Sequence, residues 1–210
     1  MPAFTVRSVH LAALALLAAC GDPAAPPPVT TPGQPAGAAT IALQGWPLGT
    51  TGRLRFYRNA TVDNVLVEVP VSMEGVASYA LPVPAGLIDF TPTTGLTIDP
   101  PDARFQVVIV ATTLLGGSDT QTGEARLGNR LISLPPAAGD TLAELFYVDR
   151  DVTVTGTATE SNGCTYDQHL QAGWNYVTNH FTSLDPGACQ ISAAQAMPAG
   201  IDWHYVFLGP

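Results

Sequence analysis

Basic residues are scarce in this sequence of 210 residues, and lysine is absent altogether. Eight Arg stand against 17 Asp and Glu, so the formal net charge at pH 7 is -9. Because nucleic acids are held mainly through Lys and Arg contacts to phosphates, this balance excludes nucleic acid as an expected partner. Charged residues of both signs are also few, at 12% of the chain. The hydrophobic fraction is nevertheless 46%, which excludes a disordered chain, because disorder requires low hydrophobicity together with high charge.

The apolar run near the N-terminus is too short to cross a membrane. It covers residues 11–19 and is preceded by Arg7, whereas a spanning helix needs about 20 apolar residues. A basic start followed by a short apolar run is typical of a signal peptide. We therefore expect residues 1–19 to direct export and to be removed.

The run ends in Leu17-Ala18-Ala19-Cys20-Gly21, which resembles the lipobox of bacterial lipoproteins. The resemblance implies cleavage before Cys20, a diacylglyceryl group on its thiol and, often, acylation of the new amine. Two or three acyl chains anchor a protein stably, whereas one chain binds a membrane only marginally. Gly21 stands where some lipoproteins carry the Asp that retains them in the inner membrane, so either membrane remains open. The alternative is an ordinary secretory signal with an incidental Cys20.

Residues 20–39 are expected to form the lipidated Cys and a proline-rich linker. Six prolines fall between residues 22 and 39, and proline at this density removes backbone donors and favours an extended, solvated chain. At about 3.1 Å per residue, such a linker would hold a domain up to roughly 55 Å from a membrane. A spacer is the preferred interpretation, and a docking site for a proline-recognising partner is the alternative.

Residues 40–210 are predicted to form one all-β domain, because segments rich in β-branched and aromatic residues alternate with turn formers. Ten strands are predicted, near 40–43, 52–57, 65–71, 76–81, 104–113, 142–148, 151–157, 165–170, 174–181 and 202–208. The nearly continuous apolar stretch 105–110 is typical of a strand covered on both faces. Only residues 122–134 could form a helix, around Glu124 to Leu127.

This pattern favours an antiparallel two-sheet β-sandwich with little or no helix beyond the signal peptide. A division into two small sandwiches near Pro100 is the alternative, although a first half of roughly 60 residues would bury little surface. Residues 67–84, with a turn at Glu74-Gly75 between two strands and then Leu81-Pro82, resemble transthyretin-like and carboxypeptidase-regulatory-like modules. The resemblance implies a binding or spacing role.

A second resemblance is more local. Residues 146–156, followed by Gly173-Trp174-Asn175 within 170–177, are similar to a strand-turn-strand arrangement in uncharacterised bacterial surface lipoproteins. In those chains a Gly-Trp-Asn turn introduces a late strand. This resemblance implies no function.

Two cysteines remain once Cys20 is assigned to the lipid, namely Cys164 and Cys189. An even pair in an exported, oxidising compartment is predicted to form a disulfide. It would join the strands around 166–181 to a segment after Pro186 that we expect to be irregular. A redox pair is the alternative, but the close Cys-x-x-Cys spacing is missing.

Three histidines lie in or beside predicted strands, namely His169, His180 and His204. Asp167 shares a strand face with His169, so the two could touch one ion. No spacing matches a zinc pattern, and we expect structural or exposed histidines with no metal.

The run Asp149-Arg150-Asp151 places two carboxylates together, as Ca²⁺ sites and glycosidases do. A solvated turn with a local ion pair is the preferred interpretation. The sequence has no nucleophile elbow, phosphate-binding glycine loop or His-Glu-x-x-His motif. We therefore assign no catalytic residue and no cofactor.

Large aromatic residues offer a possible ligand face made of Trp174, Trp203 and Tyr205, with Trp46 as a further candidate. Trp203 and Tyr205 share one side of a predicted strand, and His204 points the other way. Exposed together, these rings could stack on sugars. The preferred interpretation is that they fill the core.

Taken together, these patterns predict an exported protein, lipid-anchored to the cell membrane or the outer membrane and facing the periplasm or the cell surface. Its β domain is expected to be non-catalytic, with a binding or structural role. The partners expected are the membrane and either an envelope polysaccharide or another envelope protein. A carbohydrate-binding module is the first alternative, and an envelope hydrolase or metal-dependent enzyme is the second.

Overall fold

The computed structural model describes residues 35–58, 64–114, 123–131, 136–159, 163–183 and 188–208. Within those ranges the chain is all β and contains no helix, so the predicted fold class is confirmed. The strands are β1 (Ala38–Gln44), β2 (Gly52–Arg58), β3 (Val65–Val71), β4 (Val76–Ala80), β5 (Ile88–Asp89), β6 (Leu96–Asp99), β7 (Arg104–Leu114), β8 (Gly123–Gly128), β9 (Thr141–Val148), β10 (Val152–Thr157), β11 (Thr165–Leu170), β12 (Gly173–Phe181), β13 (Cys189–Ala194) and β14 (Asp202–Phe207).

All ten predicted strands are present, with ends within two residues of the predicted ones. Four further strands in the described residues, β5, β6, β8 and β13, were not predicted from the sequence. The helix considered for 122–134 is wrong over its described part, because 123–128 form β8. Glu124 and Arg126 lie on one side of that strand, while Ala125 and Leu127 enter a core on the other. This period-two alternation and pairing on both edges override the helical preferences of the individual residues.

The strands join into one mixed sheet, so the predicted two-sheet antiparallel sandwich is wrong in this respect. The order is β4-β1-β14-β8-β7-β9-β12-β13-β11-β10-β6, with β2 also pairing with β7 and β3 with β2. Two neighbouring pairs are parallel, β1 with β14 and β11 with β13. Strand β1 changes partner along its length: 38–42 pair with β4, and Leu43 and Gln44 pair with β14.

Two hydrophobic cores lie on opposite sides of the central strands. The first includes Leu54, Phe56, Tyr176 and Trp203, and the second includes Val148, Val154, Leu170 and Ile191. Strands β7, β9 and β12 supply both cores with alternate residues, as the adjacent pair Tyr176 and Val177 illustrates. Strand β7 likewise sends Phe105 to the second core and Val108 to the first, which agrees with the prediction that it is covered on both faces.

The disulfide joins the starts of two parallel neighbours. Cys164 precedes β11 and Cys189 begins β13, and the adjacent residues Thr165 and Gln190 are in register. The predicted pairing of Cys164 with Cys189 is confirmed. The segment after Pro186, which was expected to be irregular, instead forms β13 from Cys189 onward.

The domain includes residues ahead of the predicted boundary at 40. Pro35 forms a bridge with Ala196, Ala36 is fully buried, and β1 begins at Ala38. The predicted signal peptide, Cys20 and most of the linker lie outside the described residues.

Candidate functional site

The aromatic residues proposed as a ligand face are part of the interior. Trp203 is 0% exposed and Tyr205 is 7% exposed, and Trp46 packs edge-on against Tyr205 with ring centroids 5.1 Å apart. Trp174 packs against the first core and meets the Tyr147 ring edge-on at 5.3 Å. These side chains form no exposed stacking platform, so the sugar-binding alternative loses the surface on which it depended.

The run Asp149-Arg150-Asp151 is a turn in which each carboxylate has a separate structural partner. Asp149 accepts a hydrogen bond from the Arg104 backbone N–H at 2.9 Å, and Arg150 contacts both Asp149 and Asp102. The Arg104 N–H bond, followed by the Arg150 guanidinium, lowers the pKa of Asp149. Asp151 accepts from the Ala172 N–H at 2.8 Å. This arrangement corresponds to the preferred interpretation of a turn with local ion pairs.

The three histidines are not brought together. His169 Nε2 lies 3.3 Å from Asp167 Oδ1, with both side chains more than two-thirds exposed. His180 Nδ1 is 2.9 Å from the Thr141 hydroxyl. His204, whose pKa is lowered by burial, is 3.3 Å from the Gly128 carbonyl oxygen. In the described parts of the chain, no three His, Cys, Asp or Glu side chains are arranged to hold a metal ion.

The best-formed candidate site is a gap in the sheet where β7, β8 and β9 meet. Strand β7 pairs first with β9 and then moves away to pair with β8, while β8 reaches β9 only near its own end. Three residue pairs border the gap: Val108↔Leu145 joins β7 to β9, Ala111↔Glu124 joins β7 to β8, and Leu127↔Ala143 joins β8 to β9. Between these three pairs, no residue of one strand is paired with a residue of the other two, and a triangular opening is left in the sheet.

The opening holds a cavity of about 310 Å³. Eight of the eleven described residues that line it are apolar: Val108, Val110, Ala125, Leu127, Leu142, Ala143, Leu145 and Trp203. Most of these belong to the first core. The other three are Glu124, Arg126 and Glu144, of which Glu144 is exposed and the other two are partly exposed. The opening therefore runs from a charged mouth to an apolar inner wall.

Of the three charged side chains at the mouth, Arg126 and Glu124 pair with each other, whereas Glu144 has no partner among the described residues. Arg126 donates from Nε and Nη2 to Glu124 Oε2, at 2.9 and 2.7 Å. Glu144 forms neither a hydrogen bond nor an ion pair with any residue that the structure describes. Desolvation by the surrounding strands raises the pKa of Glu144. With all three groups ionised, the mouth carries one excess negative charge.

Trp203, one of the lining residues, carries a buried hydrogen-bond donor. Its side chain is fully buried, and Nε1 has no acceptor among the described residues. Buried polar groups are nearly always hydrogen-bonded to protein or to water, so this donor is expected to bind an acceptor other than the described residues.

Sequence reasoning did not identify Glu124, Arg126 or Glu144 as site residues. Glu144 offered a signal, since it is the one carboxylate inside the otherwise apolar strand β9. The gap itself depends on the pairing of three strands distant in sequence.

No protein-family model matches the chain, and neither a curated protein nor a solved structure matches it. The described residues contain no helix of the length and apolarity needed to cross a membrane.

Proposed function

We propose that this protein is an exported, lipid-anchored protein of the bacterial envelope whose β domain binds a small ligand without transforming it. The sequence 17–21 supports the anchor through its resemblance to a lipobox. The Cys164–Cys189 disulfide is compatible with an oxidising compartment outside the cytoplasm.

The opening between β7, β8 and β9 carries the binding part of this proposal. Small-molecule sites are concave and mostly apolar, with a few polar groups that orient the ligand, and volumes start at about 300 Å³. The opening meets this description with a volume of about 310 Å³ and, among its described lining residues, eight apolar and three charged ones. Its described lining includes no Ser, Thr, Cys, His or Lys, and of its two carboxylates, which can also act as nucleophiles, Glu124 is paired with Arg126, so we favour binding over nucleophilic chemistry.

Binding is tested by blocking the opening from its rim. Leu142 is partly exposed and lines the cavity, so Leu142→Trp is expected to fill the mouth without overpacking the core. Ligand-observed NMR with a mixture of small cationic, neutral and anionic fragments would detect binding to the wild-type chain. We expect the variant to lose the bound fragments. Leu131→Trp, at a 56% exposed position outside the lining, is the matched control and should keep them. Equal binding by all three proteins would contradict the proposal.

The anchor is tested separately at Cys20. Metabolic labelling with a radioactive fatty acid is expected to label the wild-type protein, which should sediment with membranes. Cys20→Ala should abolish both the label and the sedimentation. Labelling that survives the substitution would refute the assignment of Cys20 as the attachment residue.

A further inference from the structure

Resting on the proposed binding function, we propose that the opening between β7, β8 and β9 takes a small amphiphilic cation, with an apolar body and one ammonium group. The apolar body would lie against the inner wall. The ammonium group would lie at the mouth, against Glu144. The inference rests on three observations: the character of the wall, the pairing of the mouth charges and the charge of the chain as a whole.

The inner wall selects for an apolar body. Val108, Leu127 and Leu145 are each less than 5% exposed, and they line the cavity beside Val110. Apolar ligand surface placed there leaves water at about 25 cal/mol per Å².

The mouth selects for positive charge. Arg126, the one basic side chain among the described lining residues, already donates twice to Glu124. An anionic ligand would therefore meet a guanidinium that is already engaged, together with two carboxyl groups. A cation would meet Glu144, which has no partner in the described chain and whose pKa is raised by desolvation. An ammonium group at this position would supply the ion-pair partner that Glu144 lacks among the described residues.

The rest of the chain favours the same sign. Its formal net charge of -9 attracts cations at long range, and no lysine is present to compete as an internal ammonium group.

The test compares three probes of the same shape: n-butylammonium, n-butanol and n-butyrate. These are short enough to remain in water when the lipidated full chain is held in detergent. Dissociation constants would be measured by ligand-observed NMR on the wild type, on Glu144→Gln and on Glu74→Gln, an exposed glutamate outside the lining. Thermal unfolding of each protein would verify that it is folded.

We expect butylammonium to bind the wild type about tenfold more tightly than butanol, a difference equivalent to about 1.4 kcal/mol. Butyrate should bind most weakly. Glu144→Gln should remove the preference for butylammonium and leave butanol binding unchanged, while Glu74→Gln should behave as the wild type. Equal binding of butylammonium and butanol by the wild type, or a preference that survives Glu144→Gln, would overturn the inference and leave the proposed binding function standing. Binding of none of the three probes would overturn this inference, and the fragment screen with Leu142→Trp would then decide the proposed binding function separately.

Discussion

Gly156 in β10 lies close to the backbone of Gly95, which directly precedes β6, and a larger side chain does not fit at position 156. Gly156 has φ +121°, and a Cβ added to it would lie 2.2 Å from the Gly95 carbonyl oxygen. The neighbour is backbone and is fixed by the ladder between the two strands, so it cannot move aside as a flexible side chain would.

Gly156→Ala is therefore expected to lower the free energy of unfolding by roughly 2–4 kcal/mol, through backbone strain and the clash together. Gly200→Ala is the matched control, because Gly200 also has positive φ (+76°) but has open space around its Cβ position. Strain alone should cost it about 1 kcal/mol. Guanidinium unfolding of both variants would measure the difference, and equal losses would show that the contact with Gly95 is unimportant.

Asp140 is a buried carboxylate that holds the loop before β9. Its side chain is 2% exposed and accepts from the Ala137 N–H at 2.7 Å and from Arg130 Nε at 2.6 Å. The Ala137 hydrogen bond, and then Arg130, lower the pKa of Asp140 below its ordinary value of 3.8. A carboxyl whose pKa is lower in the folded than in the unfolded state stabilises the fold above the unfolded value, and this contribution is lost as the pH falls through the folded value.

Asp140→Asn should therefore lower the melting temperature at pH 7, and the difference from the wild type should shrink as the pH falls below about 4. Calorimetric scans between pH 2 and 7 would follow it. Asp167→Asn is the control, because the Asp167 side chain is 79% exposed and its ion-pair partner, His169, is exposed as well. A difference at Asp140 that persists undiminished at the lowest pH would contradict the role assigned to its charge.

Strands that alternate clearly between apolar and polar residues could be predicted from sequence, and those that depend on distant partners could not. β2 and β10 were predicted with ends within one residue, because Leu54 and Phe56 in β2 and Val152 and Val154 in β10 alternate with polar residues. β8 consists of good helix formers between glycines, and it is a strand because β14 pairs along its length. β13 begins at Cys189, where the disulfide and the parallel partner β11 hold a segment that carries little strand signal of its own.

The same limit applies to the candidate site. The ends of β7, β8 and β9 that surround the gap lie up to about forty residues apart in the chain, and their pairings determine where the gap falls. The alternation of β8 indicates which side Glu124 and Arg126 occupy, but no local pattern predicts that Glu144 joins them.

The disulfide clamps β11 to β13, and its contribution can be measured. The two cysteines are 25 residues apart, and closing such a loop stabilises the fold by about 3–4 kcal/mol in the chain-entropy account. The double variant Cys164→Ser, Cys189→Ser should lose about that free energy of unfolding in guanidinium titrations. Reductant should bring the wild type to the same value and leave the variant unchanged. A reduced wild type as stable as the oxidised one would rule out this contribution.

The two cores share β7, β9 and β12, and this sharing argues for one cooperative unit. A substitution that removes packing from one core loosens a strand whose alternate residues fill the other core. On β12, for example, Tyr176 belongs to the first core and Val177 to the second. Two independent small domains divided near Pro100 would lack this connection. Strands β6 and β7, on either side of Pro100, both supply the second core through Ile98 and Phe105.

Cooperativity can be tested because all three tryptophans belong to or pack against the first core, whereas Leu170 belongs to the second. Leu170→Ala, at a 2% exposed position, is expected to cost about 2–5 kcal/mol. If the cores unfold together, tryptophan fluorescence and far-ultraviolet circular dichroism will shift to the same lower guanidinium midpoint. Leu48→Ala, at an 81% exposed position, should shift neither signal. An unchanged fluorescence midpoint beside a circular dichroism curve split into two steps would show that the second core unfolds alone, and that the shared strands do not couple the two halves of the sheet.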